Sequence, residues 1–435
     1  MRVASVADGL PTMRRWILAG VTLVLLMALV APATAAAIAH AFTEVNSNQT
    51  TTSTSFVLVP GATIASGSFT TGKKYLLYIT AQHANVTGGA DTRVRTVHGT
   101  TAFAESSADF DNGGANFRSP YGFLTVWTAV SGEAVTVEFN AASGTAAINF
   151  VSMLAINLSD DLVEGTDWIF AERATDDTLG VAFLAGASTG AFTPSGATDW
   201  LVLTYALQDP NSSAVSTFTR ISRSGEATST LPTASTESGA SVSVITMLLA
   251  RVFALTAASN TFVEESALTS GTAGIRLHSS IFALNLNKFR DHAFVYTEAP
   301  ASLSATDYAT QLQTLSITPA VVSDVWIGGW WGFDKQAAAR EAEYRVQLDG
   351  ADQPAGQTTA NYQFDFGNDA LNEDPLLLST LVASLSAAAH TIDLDASADS
   401  ATSTPEGQQV TLWAVTMELA AVAGGCTPRR TLLGV

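Results

Sequence analysis

One apolar stretch recurs three times along the chain and predicts how the chain is organised. Its copies begin at Tyr75, Trp200 and Val325, which are 125 positions apart, and the third copy is the loosest. In every copy both sets of alternating positions are apolar, which is the pattern of a strand covered on both faces. We therefore expect one central, buried strand in each of three similar units.

Two further landmarks recur in the same order. The triplet that begins at Phe42 returns at Phe170 and, more loosely, at Tyr296. The segment 155–158 returns as 283–286 and weakly as 416–419. A period near 125 residues is the size of a whole domain. The sequence therefore predicts three tandem modules, which are module 1 (37–165), module 2 (166–291) and module 3 (292–421), followed by a tail (422–435).

Short stretches that alternate between apolar and polar residues fill the modules. In module 1 they include 55–60, 91–98, 121–127 and 146–154. About seven or eight such strands in one module favour an all-β sandwich or barrel. Helix signals are poor, since only 336–344 has helical composition, and it takes the place of a strand or loop in the other modules.

The first 36 residues form a hydrophobic leader. Arg14 and Arg15 precede an apolar run over 16–30, and Ala33 and Ala35 form a small-residue cleavage site. These features are typical of a secretory signal peptide. The apolar run can also be extended over 16–39, close to the ~20 residues that span a bilayer, so a retained membrane or anchor helix is the alternative.

The composition narrows the classes of partner. Of 435 residues, 47% are hydrophobic and only 14% charged, and the net charge is −19. A surface this acidic repels nucleic acid, which we exclude as a partner. The only cysteine is Cys426 in the tail, so no intrachain disulfide framework is possible.

The opening triplet, the two-sided strand and the closing segment together resemble jelly-roll modules in tandem. Such modules occur in bacteriophage virion surface proteins, which include head decorations, fibres and tail appendages, and in bacterial surface and filament proteins. The resemblance implies an all-β fold of three tandem jelly-roll-like β-sandwich modules. It also implies a non-enzymatic structural or adhesive role in an extracellular assembly, on a virion or cell surface.

Two other functions stay open beside a virion surface protein. One is a secreted or membrane-anchored bacterial surface protein that binds glycans or forms filaments. The other is an exported hydrolase on a jelly-roll scaffold. Residues 186–190 match the G-x-S-x-G nucleophile pattern, but they fall in a predicted turn with no helix after it. We therefore predict no catalytic residues.

The densest aromatic cluster lies on the third copy of the central strand. It consists of Trp326, Trp330, Trp331 and Phe333. On a strand, Trp326 and Trp330 share one face and Trp331 takes the other. An exposed platform of this kind contacts sugars or a protein partner, whereas the alternative is a filler of the core.

Acidic residues in two loops predict a calcium site, the one cofactor that we expect. Module 1 carries Asp109 and Asp111, although Gly113 and Pro120 break the EF-hand form. The corresponding loop of module 3 carries Asp365, Asp369, Glu373 and Asp374. The alternative is a solvated acidic loop that binds nothing.

The predicted partners are further copies of the chain, other virion or cell-surface proteins, and glycans. Jelly-roll modules leave few free strand edges, so neighbours meet through faces and loops. Weakly charged faces on three modules favour a homo-oligomer, either a trimer or a larger array. The alternative is a monomer whose modules are strung like beads.

Overall fold

The structure is a computed structural model that describes most of the chain after the leader. The described residues are 36–87, 91–111, 118–211, 215–226, 233–237, 244–268, 270–271, 274–298, 301–302, 308, 310–334, 340–353, 362–366, 373–398 and 406–420. Within them, every regular element other than a 3-10 turn is a strand. The all-β prediction is confirmed.

Module 1 contains the first ten strands. They are β1 (His40–Val45), β2 (Gln49–Thr51), β3 (Val57–Ile64), β4 (Lys74–Asn85), β5 (Asp91–His98), β6 (Thr101–Ala102), β7 (Ala108–Asp111), β8 (Arg118–Thr128), β9 (Val135–Ser143) and β10 (Ala146–Asn157). Single 3-10 turns lie at Ser66–Ser68 and Ala104–Ser106.

Modules 2 and 3 repeat this series. Module 2 has β11 (Trp168–Arg173), β12 (Asp177–Leu179), β13 (Leu184–Ser188), β14 (Thr198–Asp209), β15 (Ser216–Arg223), β16 (Thr233–Glu237), β17 (Ile245–Leu255), β18 (Phe262–Leu268) and β19 (Gly274–Asn285), then a 3-10 turn at Leu286–Lys288. Module 3 has β20 (His292–Thr297), β21 (Ala301–Ser302), β22 (Thr310–Ile317), β23 (Ser323–Asp334), β24 (Arg340–Leu348), β25 (Ala351–Gln353), β26 (Tyr362–Phe366), β27 (Glu373–Leu385), β28 (His390–Ala398) and β29 (Glu406–Thr416).

Each module is a jelly roll of two antiparallel sheets. One sheet, here called the inner sheet, has the order β1-β10-β4-β8 in module 1, β11-β19-β14-β17 in module 2 and β20-β29-β23-β27 in module 3. The other, the outer sheet, has the orders β3-β9-β5-β6, β13-β18-β15-β16 and β22-β28-β24-β25. The same strand order in all three modules is that of the jelly roll.

The repeated apolar stretch forms the centre of each inner sheet. In β4 every residue after Lys74 is buried, and β14 is buried from Trp200 to Gln208. The outer-sheet strand β5 instead alternates between buried and half-buried residues. The two-sided apolar pattern therefore predicted the position of β4, β14 and β23 correctly. The second face of these strands is covered by the neighbouring modules.

Strand register aligns the three repeats and corrects two of the predicted matches. Tyr75 pairs with Asn157, Trp200 with Asn285, and Val325 with Thr416. The closing segment of module 3 is therefore 414–417, two residues before the predicted 416–419. The equivalent of Phe42 and Phe170 is likewise Phe294, not Tyr296. Both matches followed residue type, and in module 3 similar residues lie two positions beyond the equivalent ones.

The three modules share one hydrophobic core rather than standing apart. A continuous cluster of buried side chains includes inner-sheet residues of modules 1 and 2 together with Trp326, Trp330 and Trp413 of module 3. Strand β7 lies against β17, β16 against β27, and β26 against β8, so each module contacts the next in the same way. The arrangement is a closed ring in which equivalent strands meet at all three junctions, so the modules are not strung like beads. Whether the chain is a monomer or an oligomer stays a prediction.

The leader lies outside the described residues, so the choice between signal peptide and anchor helix stays a prediction. In the part of the chain that the structure describes, no helix is long and apolar enough to span a bilayer.

Candidate functional site

The tryptophan cluster lies in the core, not on a surface. Trp326 and Trp330 have no exposed area and Trp331 has 1%. The Trp326 indole donates from Nε1 to Ser379 Oγ at 3.0 Å. A side chain without accessible surface cannot stack on a sugar or a separate protein, so the predicted contact role is wrong for these three residues. Of Phe333 the structure describes only the backbone, in β23.

The cluster nevertheless anchors a contact, and it does so within the chain. The Trp326 ring lies 5.6 Å from the ring of Tyr78 in module 1, with an edge-on geometry. Trp331 points to the opposite face of β23 and packs on Tyr344 inside module 3. The expected split of the cluster between two strand faces is therefore correct.

The predicted calcium residues are dispersed over several strands. Asp109 in β7 accepts a hydrogen bond from Arg93 Nε at 3.0 Å, and the same guanidinium bonds Asp91 at 3.0 Å. Burial and the nearby Asp91 raise the pKa of Asp109 to about 7, although Arg93 opposes this shift. Arg93 thus supplies the positive charge that these two carboxyl groups face.

The other predicted calcium ligands are described only in part. The backbones of Asp111, Asp365, Glu373 and Asp374 lie in β7, β26 and β27, and Asp369 falls outside the described residues. Among the side chains that the structure describes, no group of three or more His, Cys, Asp or Glu residues is placed to hold a metal ion. Calcium binding stays a prediction.

The segment with the nucleophile pattern packs over a buried ion cluster. Ser188 ends β13 and is exposed, and its strand leads into a turn, not a helix. A Cβ on Gly186 would lie 1.9 Å from Glu264 Oε2 and 2.9 Å from Arg276 Cζ. Glycine is needed here because the backbone passes directly over these two side chains.

The buried ion cluster stabilises the interior of module 2. Arg276 is fully buried, and its guanidinium contacts Asp177 Oδ2 at 2.6 Å and Glu264 Oε2 at 3.1 Å. Burial raises the pKa of Glu264 to about 7 against the opposing effect of Arg276. Sequence reasoning missed this cluster, because its members are far apart in the chain and resemble charged residues on the solvent-facing side of a strand.

The junctions between modules are the candidate functional region. At each junction the first strand of one inner sheet meets the start of the central strand in the preceding module. Trp168 lies over Lys74 Nζ, with 5.5 Å to the ring centroid. His292 Nε2 lies 3.2 Å from Asp199 Oδ2. At the third junction His40 Nε2 lies 3.1 Å from Asp324 Oδ2, and this contact joins module 3 to module 1.

Strand register shows that these three contacts are equivalent. Trp168, His292 and His40 hold the same position in β11, β20 and β1. Their partners Lys74, Asp199 and Asp324 each immediately precede the repeated stretch. Each junction therefore uses the same two positions. Two junctions pair a histidine with an aspartate, and the first pairs a tryptophan with a lysine. The ring of His40 faces a second acceptor, the carbonyl of Ile38 at 2.8 Å, so both nitrogens donate only when the ring is doubly protonated.

The outer sheets carry a trio of side chains that recurs in every module. In each trio an arginine on the third strand of the outer sheet pairs with a carboxylate that lies directly opposite on the adjacent strand. The same guanidinium lies over the ring of an aromatic residue that precedes the edge strand in the sequence. The trios are Phe56 with Arg95 and Glu138, Phe183 with Arg220 and Glu265, and Tyr308 with Arg345 and Asp395.

The trios tie an irregular edge strand to the two strands beside it. The ion-pair distances are 2.7, 2.6 and 3.2 Å, and the guanidinium lies 4.0, 3.8 and 4.7 Å from the ring centroid. Register shifts interrupt the pairing of β3, β13 and β22. An arginine that reaches across the sheet compensates for the lost ladder and keeps the edge in place. The spacing of 125 between Arg95, Arg220 and Arg345 was a readable signal that sequence reasoning missed.

Comparison with known proteins gives little beyond the fold. No family model matches the chain. No curated protein matches it either. Among solved structures, a triple jelly-roll structure from the turret assembly of an archaeal virus is 12% identical, with 89% of this chain and 97% of that chain covered and a TM-score of 0.19.

Two other solved structures are similarly distant. The ANX2 ectodomain from Arabidopsis thaliana is 7% identical over 57% of this chain and 88% of its own, with a TM-score of 0.17. Dimeric latent PorU from Porphyromonas gingivalis is 11% identical over 88% of this chain and 32% of its own, with a TM-score of 0.20. Values this low say nothing about function.

Proposed function

We propose that this chain is a non-enzymatic structural or adhesive subunit of an extracellular assembly, and specifically a virion surface protein. The observation that supports this most is the closed ring of three jelly rolls around one shared core. Such a ring is a single rigid block, since no module can move without exposing buried apolar surface.

The ring also determines which surfaces of the modules are buried and which are exposed. The inner sheets are buried against one another, so the outer sheets and loops are what a partner meets. Three equivalent outer sheets on one block multiply weak contacts when the partner surface also repeats. Virion surfaces and cell-surface arrays have that repetition, and the net charge of −19 suits an extracellular setting.

Immunogold electron microscopy tests this function. Antibodies raised against the folded chain are applied to purified virus particles and to intact cells from one producing culture. We expect regular labelling of the particle surface. Labelling of the cell envelope alone would support the bacterial surface protein, and binding to a glycan array would then define its ligand class. Labelling of neither surface would contradict the structural role.

A further inference from the structure

One of the three junctions in the ring is not spanned by the chain. Residues 158–167 connect β10 to β11, and 286–291 connect β19 to β20. Modules 3 and 1 meet without a covalent link, at a junction that we call the seam. Its contacts are His40 with Asp324, Glu44 with Thr380, Tyr78 with Trp326, and Ala37 with Glu418.

Module 1 is held to the rest of the ring by packing, by isolated β-bridges at Ala37 and Asp109, and by a few polar side-chain contacts. At the seam, Thr380 Oγ1 donates to Glu44 Oε2 at 3.0 Å. At its junction with module 2, the amide of Gly122 donates to Thr246 Oγ1 at 3.0 Å, and Ser280 Oγ donates to the carbonyl of Leu124 at 3.0 Å. None of these contacts requires that both partners belong to one chain.

The linker after module 1 is suited to act as a hinge. It contains the ten residues 158–167, which can span roughly 33 Å when extended. It is fastened to module 1 by Lys73 with Asp160 at 2.6 Å and Lys74 with Glu164 at 2.7 Å, and the four side chains are between 38% and 56% exposed. Ion pairs of this kind contribute little stability. Leu158, Leu162 and Asp167 are buried, whereas residues 159–161 and 163–166 are exposed, so these exposed stretches are where the linker can change course.

We propose that module 1 is exchanged between two copies of this chain, each copy placing it in the ring of the other. The occupant of the seam is then the module 1 of a second chain, which brings its own His40, Glu44 and Tyr78 to the same partners. Every contact of the closed ring is formed again, and only the course of residues 158–167 differs, which is the condition for domain swapping.

The chemistry of the seam suits a partner that carries a histidine at the position of His40, as a second copy of this chain does. The carboxylate of Asp324 meets a histidine at the seam, whereas the equivalent position of module 1, Lys74, meets Trp168. Modules 1 and 3 carry a histidine at this position and module 2 carries Trp168, so module 1 of a second copy suits the carboxylate of Asp324 as well as module 1 of the same copy does. The inference rests on the proposed structural role, because a subunit of an assembly has a use for a link between copies.

A disulfide across the seam provides the test. Ala37 and Glu418 form an antiparallel bridge flanked by the hydrogen bonds Ile38 N to Met417 O at 2.8 Å and Leu419 N to Ala36 O at 2.9 Å. This makes them a non-hydrogen-bonded pair, whose side chains are the closest across two strands. Ala37→Cys with Glu418→Cys, in a Cys426→Ala background, therefore closes the ring covalently when oxidised.

The full-length double variant is unfolded in guanidinium and refolded at increasing concentration, with or without reductant, and light scattering gives its mass. Reduced protein should yield a species of twice the monomer mass whose share rises with concentration. Oxidised protein should yield monomer only, because its module 1 stays tied to its own module 3. Association through the leader would appear equally in both samples.

Near-ultraviolet circular dichroism confirms that both samples have refolded. Co-refolding of ¹⁵N-labelled and unlabelled reduced chains should also give mixed dimers by native mass spectrometry. Monomer at every concentration in the reduced sample, or the same dimer share after oxidation, would overturn the proposal. Neither result bears on the immunogold labelling, so a failed exchange and a failed structural role can be told apart.

Discussion

The inner and outer sheets differ in how well the three repeats preserve residue type at equivalent positions. At the junctions, equivalent positions hold unlike residues, such as Lys74 and Asp199. On the outer sheets the arginine of each trio is unchanged, and its ring and carboxylate change only within their class. One of the three junctions thus differs in chemistry from the other two, whereas all three trios share one chemistry.

The difference follows from what each position contacts. A trio lies within one module, so each copy has the same structural role, which is to hold an irregular edge strand in place. A junction residue meets a residue of another module, and the two can change together without affecting the other junctions. In a symmetric trimer all three junctions would have to be identical. A single chain is free of this requirement, and here one junction has a lysine–tryptophan pair while the other two have histidine–aspartate pairs, which distinguishes the first junction from the others.

Loss of a junction indole should have the largest effect. We expect Trp326→Ala to lower the free energy of unfolding by roughly 3–5 kcal/mol, because a fully buried ring leaves a cavity between modules 1 and 3. Urea unfolding followed by circular dichroism measures the change. Val130→Ala is the control, since Val130 is 48% exposed and should change stability by less than about 0.5 kcal/mol. Similar losses in both variants would mean that burial at the junction is not what stabilises the ring.

Raising the pH should weaken the seam through Glu44. Burial raises the pKa of this carboxyl group from 4.5 to about 7 in the folded protein. The folded state therefore holds the proton more tightly than the unfolded state. The stability that Glu44 contributes is full below about pH 4.5 and is lost as the pH rises towards about 7, with a total of about 3 kcal/mol.

The variant Glu44→Gln isolates this effect. Its gain in stability over the parent should be larger at about pH 8 than at about pH 5, as read from urea midpoints. Glu172→Gln is the matched control, because Glu172 holds the equivalent position in β11 but is exposed. An equal pH-dependent gain in the control would assign the effect to net charge and not to the seam.

The sequence predicted the fold more completely than the contacts between modules. A strand that is apolar on both faces, as from Tyr75 to Gln82, has to be covered twice, and periodicity shows this directly. It does not show what supplies the second cover. The same pattern fits a platform for a ligand and a junction with a neighbouring module. Trp326 was misread for that reason.

Side-chain clusters formed between distant segments were also out of reach. Arg276 and Asp177 are separated by most of module 2, and only the folded register brings them within 2.6 Å. The arginine trios differ, because Arg95, Arg220 and Arg345 follow the same 125-residue period as the central strands. A search for repeated charged positions, not only apolar ones, would have found them.

Disruption of an outer trio should have a smaller effect than a junction variant. We expect Arg220→Ala to cost about 1 kcal/mol, since the ion pair with Glu265 and the contact with Phe183 are only partly buried. A double-mutant cycle with Glu265→Ala, measured by urea unfolding, gives the share of the ion pair. Arg95→Ala and Arg345→Ala should agree with it to within about 0.5 kcal/mol. If the loss in one variant differs much more than this from the other two, the recurrence of the trio does not reflect one structural role.

The smallest effect should come from changing the identity of one junction. Asp199→Lys places a cation beside His292, in partly exposed surroundings, and we expect a loss of up to about 1 kcal/mol. Adding His292→Trp recreates the pair formed by Lys74 and Trp168 at the first junction, so the double variant should recover most of that loss.

His292→Trp alone serves as the control and should not be stabilising, because its partner would still be Asp199. The coupling energy from this cycle, measured by urea unfolding, should be favourable. A coupling of zero would mean that the paired residues change independently, and that the pair does not distinguish the first junction from the other two.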